Sequence, residues 1–143
     1  MKIEISDEEF EAQTTPKAKL EVGEYEMELI EPPYIDMVQV QGNERMVMEF
    51  KWNILVLDKE YKQTVWLDKA DGTKMTWPLT NVLDAIAVEW SKVAGAVEFD
   101  DVACLGRTAT GVFTVDKRKP TYEYNGESYP NVTLQKVTAS IPF

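Results

Sequence analysis

Three consecutive cationic residues are followed closely by three tyrosines near the end of the chain. The cations form the run Lys117-Arg118-Lys119, and Tyr122, Tyr124 and Tyr129 come shortly after it. Cations contact phosphates and flat aromatic rings stack on bases, so this combination is typical of a groove for single-stranded nucleic acid. A surface hairpin that binds no ligand is the alternative interpretation of the same pattern.

Four further residues belong to the predicted nucleic-acid site. Arg45 and Lys51 project from a predicted strand on the side opposite its apolar stripe, as a ligand-binding face requires, although a solvated strand surface gives the same pattern. Trp66 lies either on that ligand face, where its indole would stack on a base, or in the core, and the sequence favours neither position. Arg107 adds positive charge to the segment that leads into the cationic run.

The net charge of −10 at first argues against a polyanionic partner, because opposite charge drives association with nucleic acid. The acidic residues are concentrated at the start of the chain, where residues 1–31 contain three basic and ten acidic residues. That segment carries a net charge of −7, and residues 32–143 carry only −3. Residues 106–119 contain four cations and one acid, so the sequence predicts a basic loop on an acidic protein.

Catalytic and metal chemistry have little support in the sequence. The chain has no histidine, which excludes Ser-His and Cys-His nucleophile pairs and the usual zinc sites. The single Cys104 lies in an apolar stretch, which is typical of a small buried hydrophobic residue. The aspartate pairs that could hold Mg²⁺ lie in predicted turns, where aspartate is favoured for local reasons. We therefore expect no enzyme activity, no cofactor and no metal.

Length and composition predict one domain with a single core. No apolar run approaches the roughly 20 residues of a membrane span, and the first residues do not resemble a secretion leader. A cytoplasmic protein that does not contact a membrane is expected. Residues 1–19 are acidic and lack a sustained hydrophobic period, so we interpret them as an N-terminal arm before a domain formed by residues 20–143.

Hydrophobic periodicity predicts three strands in the first half of the chain. The first covers residues 20–29, and a long loop is expected over residues 31–44. The strongest signal is the second strand, residues 45–57, and the third covers residues 63–67 after a turn at 58–61. The side chains that share the core face of the second strand are Met46, Met48, Phe50, Trp52, Ile54 and Val56.

A helix and two further strands are predicted in the second half. Apolar residues recur at helical spacing over residues 79–90, with Pro78 in the first turn and Gly95 at the termination. This pattern places Trp90, like Trp52 of the second strand, in the core. The last two strands are expected over residues 111–115 and 131–137, with a tight turn at Asn125-Gly126 between them.

The predicted order is strand, strand, strand, helix, strand, strand. This is the order of an all-β, five-stranded oligonucleotide-binding (OB) barrel with one α-helix between strands 3 and 4. In such barrels the ligand lies across strands 2 and 3, between the loop that joins strands 1 and 2 and the loop that joins strands 4 and 5. Those loops correspond here to residues 31–44 and 117–128.

The chain also resembles phage-encoded single-stranded DNA-binding proteins of OB fold over residues 20–138. The features that carry the resemblance are Gly23-Glu24-Tyr25, Phe50 and Trp52 in a long second strand, the helix at 79–90, Gly106-Arg107 before a strand, and Tyr124-Asn125-Gly126-Glu127-Ser128-Tyr129-Pro130-Asn131-Val132. The resemblance implies sequence-tolerant binding of single-stranded DNA during phage replication or recombination, in the cytoplasm of an infected bacterium. Replication or recombination proteins are the further partners that it implies.

Two other interpretations stay open at this stage. A protein-interaction module, such as a phage assembly or host-modulating factor, would use the same barrel to hold a protein partner. The C-terminal Ile141-Pro142-Phe143 is similar to the tip that bacterial single-stranded DNA-binding proteins present to partner enzymes, but it lacks the preceding run of acids. The sequence leaves self-association and the choice between DNA and RNA undetermined.

Overall fold

The computed structural model describes residues 20–69, 71–94 and 96–140. The predicted acidic arm, the helix-terminating Gly95 and the C-terminal tip lie outside these residues. Within the described ranges the chain forms ten strands, one α-helix and a short 3-10 helix at Val102–Cys104. The elements in chain order are β1 (Gly23–Leu29), β2 (Tyr34–Val40), β3 (Asn43–Ile54), β4 (Lys59–Trp66), α1 (Trp77–Ala85), β5 (Trp90–Val93), β6 (Ala96–Phe99), β7 (Thr108–Val115), β8 (Thr121–Tyr124), β9 (Glu127–Pro130) and β10 (Val132–Ala139).

Within the described ranges the protein is therefore all-β apart from one helix, as predicted. Its Cα positions group into two compact units. Of the described residues, the larger unit, which we call the sheet unit, comprises those from 24 to 112 and from 134 to 140. The smaller one, the hairpin unit, comprises residues 20–23 and 113–133.

The main sheet follows the path β10-β7-β1-β3-β2, and β4 also pairs with β3. Residues 47–49 of β3 pair with both β2 and β4, and residues 52–54 pair with both β1 and β4. Strand β4 therefore occupies one edge of β3, while β1 and β2 follow one another along the other edge. The sheet is open, because its path does not pair β4 with β10.

The largest buried side chains of β3 lie on one face of the strand. Phe50, Trp52 and Ile54 are fully buried there, as the alternation of apolar residues predicted. Met27 and Leu29 of β1 join them, since they pair with Ile54 and Trp52 and are also fully buried. Burial of each such large side chain contributes roughly 1.5–3 kcal/mol to folding.

The prediction that Val56 belongs to the buried face of β3 is wrong. Val56 is 78% exposed, because β3 ends at Ile54 and the chain turns over residues 55–58. The turn thus comes earlier than the predicted one at 58–61, with Asp58 in the left-handed region at a φ of 47°. Strand β4 begins directly afterwards, at Lys59.

The long loop predicted at residues 31–44 is also wrong, because it contains β2. Strand β2 pairs with β3 through seven residue pairs, from Tyr34 opposite Glu49 to Val40 opposite Asn43. The two residues between the strands, Gln41 and Gly42, have φ values of 51° and 79°. Two consecutive positive φ angles are typical of the tight turns that join hairpin strands.

The predicted helix is at the correct position, but its predicted C-terminal end lies beyond the observed one. Pro78 lies in the first turn as predicted, and Leu79, Val82 and Leu83 are buried. The helix ends at Ala85, and Ala87 adopts a left-handed φ of 57°, which α-helical geometry does not allow. The apolar stripe continues beyond that point in the sequence, which is why periodicity alone extended the helix.

Trp90 is consequently the first residue of β5 rather than a core residue of the helix. Its side chain is 38% exposed, and its indole N–H donates a hydrogen bond to Asp84 Oδ1 at 2.7 Å. Strands β5 and β6 form a hairpin of four residues each, too short to give a clear period. Within the described ranges, no helix combines the length and apolar character needed to cross a membrane.

Candidate nucleic-acid interface

The register of β3 and β4 determines which face of the sheet Trp66 occupies. Trp66 pairs with Val47, and Val65 pairs with Met48. Paired residues of antiparallel strands share a face, and Val65 and Met48 are both buried on the core side. Trp66 therefore lies on the opposite face together with Arg45 and Lys51, which the sequence alone could not decide.

We call this opposite face of β2, β3 and β4 the outer face. Its side chains follow from the register, since every second residue of each strand projects to the same side. They are Tyr34, Asp36 and Val38 from β2, Arg45, Val47, Glu49 and Lys51 from β3, and Lys62, Thr64 and Trp66 from β4.

Arg45 is fixed between an aromatic ring and a carboxylate. Its guanidinium carbon lies 4.4 Å from the centroid of the Trp66 ring. Its Nε donates to Asp68 Oδ1 at 2.7 Å, and its Nη2 donates to the Asp68 backbone carbonyl at 2.6 Å. The Arg45 and Asp68 side chains are only 15% and 9% exposed, so this charge is neutralised within the protein.

The Asp68 carboxylate is held in its ionised form by these contacts. The hydrogen bond from Arg45, and then the one from the Met46 backbone N–H at 3.0 Å, lower the pKa of Asp68. Both carboxylate oxygens are occupied, one by each donor. Asp68 thus joins the start of β3 to the segment that follows β4.

Lys51 has a looser ion pair and a second cation beside it. Its Nζ lies 3.7 Å from Glu31 Oε1, and both side chains are about one-third exposed, so this pair contributes little to stability. Lys62 of β4 lies directly opposite Lys51 in the register and is exposed. Two like charges facing each other repel, and an anion between them would relieve that repulsion. Lys62 does not stand out in the sequence, because only the pairing of β3 with β4 brings it to Lys51.

A buried carboxylate also belongs to the outer face. Glu49 is 3% exposed and accepts a hydrogen bond from Thr64 Oγ1 at 2.9 Å. Tyr34 of the edge strand lies opposite Glu49 and is 42% exposed. The outer face therefore carries aromatic rings, two lysines and internally satisfied carboxylates.

A groove in the sheet unit runs beside β4. It encloses about 730 Å³ and is lined by β4, α1 and β10, including Trp66, Trp77 and Lys136. Trp77 is 63% exposed at the start of the helix. Tyr61 of β4 reaches β10, since its hydroxyl oxygen accepts a hydrogen bond from the Leu134 N–H at 3.0 Å.

In the hairpin unit, the cationic run Lys117-Arg118-Lys119 forms an exposed turn, which we call the basic loop. Asp116 Oδ1 accepts hydrogen bonds from the backbone N–H groups of Arg118 at 2.8 Å and Lys119 at 3.0 Å. These two bonds lower the pKa of Asp116, the bond from Lys119 having the larger effect. Asp116 thus holds the backbone of the loop, and none of the three cationic side chains forms an ion pair with any residue that the structure describes.

The three tyrosines share one face of the β8–β9 hairpin, which we call the tyrosine face. Tyr122 lies opposite Tyr129, with ring centroids 5.7 Å apart and planes inclined by 29°. Tyr124 is two residues from Tyr122 and projects to the same side. The Tyr129 hydroxyl donates to Glu127 Oε2 at 2.9 Å, and this bond raises the pKa of Tyr129.

The predicted turn at Asn125-Gly126 is confirmed as the loop of this hairpin, with φ values of 50° and 80°. Asn131 closes its base, donating from Nδ2 to the Lys119 carbonyl at 2.9 Å and from its backbone N–H to the Pro120 carbonyl at 2.8 Å. The basic loop and the tyrosine face are therefore positioned by one local set of hydrogen bonds.

The structure thus brings the predicted residues together in two groups and leaves one apart. Arg45, Lys51 and Trp66 share the outer face of the sheet unit, and the basic loop adjoins the tyrosine face within the hairpin unit. Arg107 is exposed in the sheet unit, where its Nε donates to the Ala103 carbonyl at 3.2 Å. Cys104 is buried as predicted, and burial raises the pKa of its thiol to about 11.

Comparisons of the chain with models of protein families, with curated proteins and with solved structures find no match. Among the described residues, no three His, Cys, Asp or Glu side chains are grouped so that they could hold a metal ion.

Proposed function

We propose that this protein binds single-stranded DNA, largely independently of sequence, and acts in phage DNA replication or recombination in the host cytoplasm. Its fold in this proposal is an OB-type barrel. The phage setting rests on the resemblance carried by the strand, helix and turn motifs of residues 20–138, and the binding chemistry rests on the residues described above.

The strand order supports the OB-type fold. Strands β1, β3 and β4 follow one another, and β7 returns to lie beside β1, which gives the spatial order 4-1-2-3 of a Greek key. Strand β10 adds a fifth member beside β7, and the helix falls between the third and fourth of these strands in the chain. OB barrels are partly open five-stranded Greek-key barrels, so an unpaired gap between β4 and β10 is compatible with this class.

The observation that carries the binding proposal is the composition of the hairpin unit. Three exposed cations without intramolecular ion pairs in the described structure lead directly into a hairpin that has three tyrosines on one face. Three adjacent unpaired cations repel one another, and a polyanion would remove that repulsion. Tyrosine faces accept bases of any sequence, because every base has a flat face that can stack.

The outer face of the sheet unit offers a separate set of contacts of its own. Lys51 and Lys62 form a pair of adjacent cations suited to a phosphate, while Trp66 offers an aromatic ring. In OB barrels the ligand crosses the second and third strands, which correspond to β3 and β4. Binding would combine release of counterions from phosphates with stacking of bases.

Fluorescence titration of the wild-type protein with oligo(dT) at several salt concentrations tests this proposal. If about four cations meet phosphates, the logarithm of the affinity should fall with the logarithm of salt concentration with a slope of about −3. A duplex of the same length serves as the control and should bind more weakly. Absence of oligo(dT) binding at low salt would end the proposal.

A protein-interaction module is the second candidate, and the edge strand β2 favours it. Ile35 and Met37 are 59% and 45% exposed on a strand that, among the described strands, pairs with β3 alone. Exposed edge strands with apolar side chains are templates for pairing with another chain. Under this candidate, alanine at all three positions of the basic loop would leave the partner complex intact, whereas I35K and M37K would disrupt it.

A further inference from the structure

The Arg45 guanidinium is presented differently from the other cations of the proposed site. It lies over Trp66 at 4.4 Å and is bonded to Asp68 through both Nε and Nη2. Its charge is therefore already compensated, and its rotation is restricted by contacts at two nitrogen atoms. The three cations of the basic loop have no such partner among the described residues.

The surroundings of Arg45 are unfavourable for a phosphate. Asp36 lies in the same cross-strand row as Val47 and Trp66, and Glu49 lies one row further along β3. Together with Asp68, three carboxylates share this part of the outer face. A phosphate that approached Arg45 would have to displace Asp68 and would meet the negative charge of Asp36 in the next row.

A planar group fits the same surroundings. The Arg45 side chain keeps 15% of its surface exposed, and nucleobases stack on arginine planes as well as on aromatic rings. The position of the Arg45 guanidinium over Trp66 also adds a cation–π attraction between the two side chains. Fixing the plane in advance reduces the side-chain entropy lost when a base binds.

From these contacts we propose that Arg45 and Trp66 together form a stacking surface for one nucleobase. The base stacks on the Arg45 guanidinium, which we call the stacking plate, and Asp68 is the positioning residue that holds this guanidinium in place. The proposal deepens the single-stranded DNA function and rests on it. It assigns Arg45 to a base rather than to a phosphate, so the phosphate contacts fall to the basic loop, Lys51 and Lys62.

The test compares wild type, Arg45→Ala and Arg45→Lys on two ligands, oligo(dT) and an oligonucleotide of equal length made of abasic sites. Arg45→Lys retains a cation within reach of Asp68 and is the variant that least disturbs the fold. Thermal unfolding of each variant checks that the fold is retained. A stacking plate requires the planar group, so both variants should bind oligo(dT) about 5- to 150-fold more weakly than wild type.

On the abasic ligand, all three proteins should bind with affinities within about twofold of one another, because no base remains to stack. The salt dependence of oligo(dT) binding should be the same for wild type and Arg45→Ala. Wild-type affinity in Arg45→Lys, or a slope reduced by about 0.7 in Arg45→Ala, would assign Arg45 to a phosphate and overturn the inference. Those results would leave the DNA-binding proposal intact, whereas a wild-type protein that does not bind oligo(dT) would remove both.

Asp68→Asn tests the positioning role separately. Loss of the carboxylate should reduce the ratio of oligo(dT) affinity to abasic-ligand affinity, because Arg45 is no longer held over the ring. It should also steepen the salt dependence, because the released guanidinium can reach phosphates. An unchanged ratio with an unchanged slope would show that Asp68 has no positioning role.

Discussion

Tyr122 and Tyr129 face each other across the β8–β9 hairpin with their ring centroids 5.7 Å apart. The two rings are inclined by 29°, and Tyr124 continues the same face one step along β8. This relationship places three tyrosines that lie close together in the sequence on one surface. Under the proposed function, substitutions on this surface can be tested separately from the fold.

The tyrosine face should contribute base stacking to DNA binding. We expect Tyr124→Ala to weaken oligo(dT) binding by about 1–3 kcal/mol, the range for loss of one stacked base. Ser128→Ala is the matched control, since Ser128 pairs with Glu123 on the opposite face of the hairpin. Fluorescence titration measures both variants, and equal affinities for the two would contradict a stacking role for this face.

Alanine substitutions at Ile54 and Val56 test where the buried part of β3 ends. Ile54 is fully buried and Val56 is 78% exposed. Ile54→Ala should lower the free energy of unfolding by about 2–5 kcal/mol through lost burial and a cavity. Val56→Ala should change it by no more than about 0.5 kcal/mol. Urea unfolding of the two variants is the measurement, and similar losses would show that the core stripe extends through residue 56.

Strand β3 shows how much of the fold can be predicted from the sequence. Alternating large apolar residues fixed the buried side at Phe50, Trp52 and Ile54, because a strand must place every second side chain on one face. Alternation carries no information on where a strand ends, so Val56 was included although the turn begins before it. Trp90 was misplaced for a related reason, since the helical stripe continues past the left-handed break at Ala87.

Which strands pair with one another, and in which register, could not be predicted from the sequence. Strand β2 was not predicted, because Pro32 and Pro33 are typical of a loop. Its polar residues also disturb the alternation expected of a half-buried strand. The face of Trp66 and the approach of Lys62 to Lys51 depend on the register of β3 with β4. The basic loop and the tyrosines, in contrast, are adjacent in the chain, so local spacing was sufficient to predict their grouping.

The ion pair between Arg45 and Asp68 should make stability depend on pH in the acid range. The pKa of Asp68 is lowered in the folded protein from its ordinary value of 3.8, so its contribution is fully present above that value. The contribution is lost as pH falls through the lowered pKa. Thermal unfolding of wild type and Asp68→Asn should therefore differ at neutral pH and converge in acid. A difference that grows as pH falls below about 4 would contradict the assigned ion pair.

Cys104 should be unreactive in the folded protein. It is fully buried, and desolvation raises the pKa of its thiol to about 11, with smaller contributions from Asp101 and Asp100. At pH 8 only about one thiol in a thousand would be ionised, and the thiolate is the nucleophile. A chromogenic thiol reagent should react slowly with native protein and rapidly in denaturant. Equal rates in both conditions would place Cys104 at the surface.

The central claim is that the basic loop neutralises phosphates of single-stranded DNA. Its most direct test is oligo(dT) titration across a series of salt concentrations with Lys117, Arg118 and Lys119 all replaced by alanine. The control replaces Lys69, Lys74 and Lys92, three exposed cations to which the proposal assigns no contact with DNA, and has the same net charge. The account predicts a slope less steep by about 2 for the basic-loop variant and little change for the control. Equal effects of the two variants would contradict it, because net charge rather than the basic loop would then govern binding.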